Sequence, residues 1–583
     1  MSSPHERIAD IVEGKGPQPA HGDGGGEARE GGLDGDACDA LGPSDRREAE
    51  ASVDDKIVRE CAWLDHSDTD NGARLRLHFG ADLVVMAQGG VAGGEWLGWE
   101  GRYWDRDGGP ARAAMLAQKI GGRIALEAEY LEHTPAERKA IEDAKGFSKD
   151  DESPAAKQAM EAARAAVKAL KARKAARWRF AVTSKNSARV KNMLEMAAPH
   201  LRRDVRDFNR DHMLIVTQNA TLRLICEKYD DVRSVSIDCR EGFSREDYAT
   251  GLVPCDYDRN AEAPKWIAFL DRCLPDLDVR RTVRQYSATG LLGVLLQRVM
   301  FHHGFGANGK SVYLAVIFAV LGKSLSVSLP KETFSGSGQR GAGQASPDIV
   351  RLNGKRAVRI DELKEGESLH EDLVKRLTGG DEIAVRNLFE GYFDFANLAT
   401  PHMSGNGFPR IDGTDNGIWR RMLVVHWEVT IPPEERREFD EFVADLLTER
   451  SGILNWLLEG ACDYLENGLF IADKIAAATA QYQEEMNPIG EFIKACVEAA
   501  PGETIGANTA YQAYVSWSRA NARRERSQTA FGREMAKHFP RDDKRTRSYL
   551  ECRLHDVPNR PDEAAPAKGA GAAGAGYPEG YGG

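Results

Sequence analysis

The sequence predicts an α/β protein built on a phosphate-binding core, with a mixed helical domain before it and a smaller winged-helix-like domain after it. Three observations carry this expectation. GFGANGKS at 304–311 sits between an apolar, β-compatible stretch (LLQRVMFHH) and an apolar stretch of helix length (SVYLAVIFAVLG). Across 286–430, short β-like runs (VMFHHG, RAVRI, LVVHW) alternate with helical stretches, as in nucleotide-binding α/β folds. Near the end, a helix-like segment is followed by an alternating, strand-like one.

Taken in order, the 583 residues divide into about three or four domains. Residues 1–55 hold ten glycines and almost no aromatic or β-branched side chains, so they are expected to be disordered. Residues 56–285 read as mixed α/β with long helices, among them an Ala-rich helix over 154–178. The core occupies 286–430, a helical linker or lid 431–490, the winged-helix-like domain 491–558, and a low-complexity tail 559–583. The chain carries a net charge of −12, of which 1–55 accounts for −9, so the remainder is close to neutral and its patches must be read locally. No run approaches the ~18 apolar residues of a membrane span. The first thirty residues lack the apolar stretch of a secretory signal. Nine scattered cysteines without a CxxC pair fit neither a zinc ribbon nor a disulfide framework, so a reducing cytoplasm is expected.

GFGANGKS matches the G-x-x-x-x-G-K-[ST] pattern, for which a chain like this offers only about 0.03 chance matches. Gly304, Gly306 and Gly309 let the backbone turn tightly around Asn308 and aim N–H groups at phosphate oxygens. The helix that follows adds positive potential at its N-terminus. Lys310 can reach the β- and γ-phosphates of ATP, and Ser311 offers a hydroxyl to Mg²⁺. Such a loop needs an acidic partner. KRAVRIDELKEGE (355–367) supplies a short strand, with Ala357, Val358 and Ile360, that ends in Asp361 and Glu362. Asp361 is assigned to the Mg²⁺ shell and Glu362 to the attacking water, with Glu365 a third carboxylate nearby. In FANLATPHMSGNGFPRI (395–411), Asn406 is the candidate for a neutral amide touching the γ-phosphate or the water; Asn397 and His402 are rivals. GTDNGIWRRM (413–422) places Arg420 and Arg421 where either could neutralise a transferring phosphoryl group, from the same or a neighbouring subunit.

These motifs resemble, in order and spacing, the superfamily 3 helicase module of phage and plasmid primase–helicases, which is related to the poxvirus primase–helicase. The resemblance rests on GFGANGKS, SPDIVRLNGKRAVRIDELKEGESL (346–369), VKRLTGGDEIAVRNLFEGYFDF (374–395) and SGNGFPRIDGTDNGIWRRM (404–422). WLGWEGRYWDRD (96–107), SKNSARVKNMLEMA (184–197) and REDYATGLVPCDYD (245–258) extend it upstream, so that it covers roughly 60–555. The resemblance implies an AAA+-like ATPase fold, Lys310 and Ser311 in Walker A, and Asp361 and Glu362 in Walker B. It further implies Asn406 as polar sensor, Arg420 or Arg421 as arginine finger, and ATP-driven DNA unwinding by a hexameric ring. Two positions depart from the family pattern: Gly407 stands where a His or similar residue is expected, and Ala220 where a Gly is usual. Family members often carry an N-terminal primase domain; only 1–55 precedes the resembling region here, and primer synthesis is not expected.

Candidate DNA contacts lie in two places. Lys375, Arg376 and Arg386 fall in 374–391, a stretch that holds a DNA-tracking hairpin in the resembling family. Residues 519–553 carry a net +6. Within them SQTAFGREMAKHF (527–539) repeats Phe531, Met535 and Phe539 on one helical face and places Arg533 and Lys537 on another. Helix then wing points to duplex binding. The helix at 157–179, with eight Lys/Arg and one acid, could lie along phosphates or be a solvated face. The expected partners are single-stranded and duplex DNA, further copies of the chain, and a separate primase or replication protein; no membrane is expected. Two other readings compete: a bifunctional primase–helicase, and an ATP-dependent origin-binding initiator without processive unwinding.

Overall fold

A parallel sheet is covered on both faces, and five parallel strands build the centre of this protein. In the computed structural model these are β8 (Val299–His303), β9 (Ser326–Leu329), β10 (Ala357–Leu363), β13 (Thr400–Gly405) and β14 (Met422–His426), all parallel, in the order β14-β8-β13-β10-β9. The structure describes residues 53–87, 94–148, 150–230, 232–336, 346–388, 391–413, 416–543 and 547–558. The segments expected to be disordered, 1–55 and 559–583, lie outside the described residues except for 53–55.

Period-two alternation divides the sheet between two cores. Met300, Leu423 and Val425 face one, with Tyr313 and Ile317, while Val299, Phe301, Met422 and Val424 face the other, with Ile360 and Met403. The chain enters the first core through helices α7 (Pro264–Cys273) and α8 (Leu277–Ala288), and α9 (Lys310–Leu325) leaves the end of β8. Between β10 and β13 lie α10 (Glu371–Leu377) and an antiparallel hairpin, β11 (Glu382–Val385) with β12 (Phe393–Ala396). The expected helical stretch after the core is α11 (Phe439–Leu446), α12 (Arg450–Asn467) and α13 (Asp473–Glu485).

Upstream, helices α1 (Asp55–Cys61), α2 (Asp68–Phe79), α3 (Gly109–Glu127), α4 (Pro135–Lys145), α5 (Pro154–Thr183) and α6 (Ser187–Ala197) pack with a small sheet. That sheet is β3-β2-β1-β4: Trp104–Asp105, Glu95–Trp99, Leu83–Ala87 and Arg202–Asp204. Local chemistry starts these helices. Ser67 and Ser153 cap α2 and α5, and Thr134 with Glu137 forms a capping box on α4. Sequence reading missed the antiparallel sheet of β5 (Leu214–Val216), β6 (Ala220–Tyr229) and β7 (Val232–Glu241).

At the other end, α14 (Pro488–Cys496), β15 (Val497–Gly506), α15 (Ala507–Ala520), α16 (Gln528–His538), β16 (Arg541–Asp542) and β17 (Ser548–Leu554) form a unit with sheet order β15-β17-β16. Phe531 and Met535 are fully buried there and Phe539 partly, as the helical spacing predicts. Ser527 caps α16 by accepting from the Ala530 N–H.

Candidate functional site

In an open parallel sheet, ligands bind beyond the carboxyl ends of the strands, where the strand order reverses. That place here is a cavity of about 1200 Å³ at the ends of β8, β10 and β13. Gly306, Asn308, Gly309, Lys310, Ser311, Asp361, Glu362 and Asn406 all line it, although 102 sequence positions separate Phe305 from Gly407, two further lining residues.

The loop after β8 has its shape for identifiable reasons. Gly306, Ala307 and Gly309 all take positive φ, at 98°, 46° and 85°. Gly309 opens α9, and a Cβ there would lie 2.5 Å from Cys273 Sγ, so both the backbone angle and the close packing of α7 require glycine. The N-cap Gly309 has no side chain to cap α9, so first-turn N–H groups beyond that of Lys310 are left for an anion. Asn308 pins the loop to the sheet, its Nδ2 donating to the Trp427 carbonyl (3.2 Å) and its Oδ1 accepting from the Lys310 N–H (3.3 Å). Gly304 lines no part of the cavity; a Cβ there would strike the Asn308 amide at 2.1 Å.

Lys310 is 6% exposed. Its Nζ donates to the carbonyls of Gly304 (3.2 Å) and Gly405 (2.7 Å) and to Asn406 Oδ1 (3.0 Å). Burial lowers its pKa, and the nearby Asp361 and Glu362 carboxylates oppose that shift. Asp361 accepts from Ser404 Oγ (3.0 Å) through Oδ1 and pairs with Arg359 (2.5 Å) through Oδ2. Beyond Ile360 the ladder to β13 shifts register, and Glu362 takes φ 58°, a left-handed angle rare for a residue with a Cβ. That bulge leaves Glu362 exposed at the cavity wall. The rivals of Asn406 are tied elsewhere. Asn397 is buried and donates to the Leu377 and Ala399 carbonyls, and His402 is buried against His302 (3.2 Å). Gly407 has no room for the expected His, since a Cβ would sit 2.6 Å from Glu365 Cβ.

Seven basic side chains and four acidic ones line the cavity, a balance that favours an anion. Of these, Arg272, Lys331, Arg359, Lys364, Arg436 and Arg437 were not singled out from sequence. Arg359 alone left a signal, a charge inside the apolar strand run two residues before Asp361. Phe269, Phe439 and Phe442 give one wall an apolar surface. The donor set fits a divalent ion of the magnesium type. Ser311 and Asp361 line the same space, and each Asp361 oxygen keeps a lone pair beyond its present partner.

The two arginines part company. Arg421 is 7% exposed, with its guanidinium on Thr378 Oγ1 (2.9 Å) and the Gly417 carbonyl (2.5 Å). Arg420 is exposed and lines a different cavity, of about 520 Å³ with Arg233 and Arg298, which shares no residue with the first. The DNA candidates are also dispersed. Lys375 and Arg376 lie in the last turn of α10, not on the hairpin, and Lys375 Nζ is 3.7 Å from Glu371. Arg386 follows β11 and lies over the Tyr392 ring at 5.2 Å. Arg533 and Lys537 are exposed on α16, Lys537 paired with Glu534 at 2.7 Å.

Comparison with known proteins adds a relation. Residues 73–275 match the family described as "D5 N terminal like". "Putative helicase L207/L206" of Acanthamoeba polyphaga mimivirus is 27% identical over 244 residues, 39% of this chain and 25% of the viral protein. "Putative primase C962R" of African swine fever virus is 23% identical over 309 residues, 49% of this chain and 32% of that protein. In both cases the match spans a third or less of the relative's own length. Among solved structures, "The apo structure of NrS-1 C terminal region (305-718)" aligns over 57% of this chain and 96% of its own at 10% identity and a TM-score of 0.34, too loose a likeness to argue from. No helix among the described residues is long and apolar enough to cross a membrane.

Proposed function

This chain is related to the primase–helicases of large DNA viruses, and we propose that it is an ATP-dependent DNA helicase of the superfamily 3 type, working as a ring during replication of phage or plasmid DNA. The convergence of Lys310, Ser311, Asp361, Glu362 and Asn406 on one cavity at the carboxyl end of a parallel sheet carries this reading. The loop at 304–309 acts as a P-loop, its N–H groups and the start of α9 receiving the phosphates of ATP. The phenylalanine wall suits the base.

Lys310 exchanges its carbonyl partners for phosphate oxygens when ATP enters, which frees Asn406 to reach the γ-phosphate or the water. Ser311 and Asp361 would hold Mg²⁺, which when bound would supply positive charge beside the phosphates. Glu362, exposed at its bulge, takes the proton of the attacking water. Arg420 serves as the finger. It is exposed and apart from the cavity of its own chain, so it completes the cavity of a neighbouring copy, and head-to-tail contacts of that kind close a ring. The C-terminal unit, with Arg533 and Lys537 on one face of a helix and an antiparallel sheet behind it, acts as a winged-helix contact to duplex DNA. Lys375, Arg376 and Arg386 grip single strands by charge.

ATP hydrolysis with and without single-stranded DNA tests the proposal, beside Lys310→Ala. Stimulation by single strands, with a loss of about 10²-fold or more in the variant, is expected. Hydrolysis that ignores single strands but responds to duplex origin DNA overturns the motor reading in favour of an initiator.

A further inference from the structure

The cavity of about 520 Å³ that holds Arg420 lies at the other end of the central sheet from the ATP cavity. Arg298 stands directly before β8 and Arg420 two residues before β14. The Val299 N–H donates to the Arg421 carbonyl (2.7 Å), so the amino ends of both strands meet there. Arg233, near the start of β7, reaches the same space. These three arginines are the only charged side chains among the described residues that line it. Glu466, which follows the lining residue Leu465, is turned to β7 and accepts from the Val235 N–H (2.9 Å). Most of the remaining wall is apolar, built by Leu296 before β8 and by Tyr464, Leu469 and Ile471 at and beyond the end of α12. A phosphodiester backbone would leave that apolar surface uncovered. A protein surface that carries acids beside apolar groups matches both parts of the wall.

Such a surface lies on the chain itself. The segment 434–441, which leads into α11, holds five acids and two bases. Its bases turn to the ATP cavity, where Arg436 donates to the Ile431 carbonyl (3.0 Å) and Arg437 pairs with Asp445 (2.7 Å). Glu434, Glu438, Asp440 and Glu441 are exposed and line no part of that cavity. Their carboxylates therefore stand on the outer side of its lip, with Pro433 and Ala444 exposed beside them. The lip is at the carboxyl ends of the strands and the arginine cavity at the amino ends, about 15 Å away along β8. Complementary surfaces at opposite ends of one chain meet between copies, head to tail.

We propose that the arginine cavity is the seat for a neighbouring copy of this chain, whose lip at 434–441 enters it with Glu438, Asp440 and Glu441 against Arg233 and Arg298. This docking rests on the ring reading above and deepens it. The lip is part of the rim of the ATP cavity, so the same contact brings Arg420 to the neighbour's nucleotide. Opposite charges at such a contact steer assembly and make it weaken as salt rises.

Sedimentation velocity of the full chain, with and without ATP, over a range of protein concentration tests the docking. One variant reverses the seat, Arg233→Glu with Arg298→Glu. The other reverses the lip, Glu438→Lys with Asp440→Lys and Glu441→Lys. Each alone sets like charges against each other, and its concentration for half-assembly should rise at least ~10-fold. Mixed in equal amounts, the two should assemble within about 3-fold of the native chain, because both contacts of an alternating array are then attractive. Arg233→Glu alone, at an exposed position, should shift assembly in the same direction if the double seat variant does not fold. A native chain that stays monomeric overturns the proposal, as do mixtures no better than their components. So does a lip variant that assembles like the native chain while the seat variant loses labelled DNA, which would make the cavity a nucleic-acid site. Assembly is read by mass. A chain that follows these rules but hydrolyses no ATP removes the helicase reading alone. Hydrolysis stimulated by single strands, in a chain whose swaps never restore assembly, removes the docking alone.

Discussion

Lys310 is held by three neutral acceptors, the carbonyls of Gly304 and Gly405 and the amide of Asn406. A cation so placed is already out of water, and a polyphosphate offers it charge in place of dipoles. On the proposed reading, Lys310 serves binding as well as chemistry. Glu362 is different. It is exposed and held at φ 58°, a backbone angle that costs about 1–2 kcal/mol for a residue with a Cβ and is kept by the bulge around it. Its side chain has little packing to lose, so Glu362→Gln should fold normally. ATP affinity should stay within a few-fold of the native chain while the rate of hydrolysis falls about 10²–10⁴-fold, as measured by filter binding and single-turnover assays. An active Glu362→Gln enzyme would move the role of base to another carboxylate of the cavity, Glu365 being the nearest in sequence after Asp361.

Strands β8 and β13 carry more than the loop ends. His302 on β8 and His402 on β13 stack with ring centroids 5.5 Å apart and share a hydrogen bond. The Trp427 indole can only donate, and it donates to His302 Nδ1 at 3.2 Å, so His302 must donate through Nε2 to His402 Nδ1. Both rings are therefore neutral. Burial holds His402 down to about 3 and, with the nearby Lys310 and Arg359 charges, holds His302 well below 6.5. The unfolded chain binds these protons first. Their contribution is complete above about pH 6.5 and is lost as the pH falls toward 3, at roughly 1.4 kcal/mol per imidazole for each pH unit. Urea unfolding of the native chain between pH 7 and pH 4 should show this slope, and His402→Gln should flatten it by about one imidazole. Equal slopes in the two proteins would mean that the pair titrates in the fold. The same strand ends place Ser404 on Asp361 and Asn406 on Lys310, so strand register, not loop composition, sets the distances of the site.

At the scale of the whole molecule, neither Arg420 nor Arg421 lines the cavity of its own chain, since Arg421 is tied to Thr378 and Arg420 lines another cavity. If neighbouring copies complete each other, Lys310→Ala and Arg420→Ala chains, each inactive alone, should regain activity when mixed. At equal amounts about a quarter of sites would pair an intact Lys310 with an intact Arg420. Mixtures no more active than their components would place the finger within the chain. How far all this was legible follows from what each signal depends on. The amino-acid sequence by itself determined the loop at 304–311, the acidic end of β10, the strand after the arginine pair and the buried face of α16, because glycine spacing, apolar runs and 3.6-residue periodicity are local properties of the chain. It left Asn406 among rivals, could not choose between Arg420 and Arg421, and gave no sign of Arg436 or Arg437 in the cavity. Only the tertiary structure decided where each of these side chains lies. Which amide reaches Lys310 and which arginine is buried depend on strand order, on a register shift at Ile360 and on packing between distant segments. Those contacts join residues about a hundred positions apart, and no local pattern encodes them.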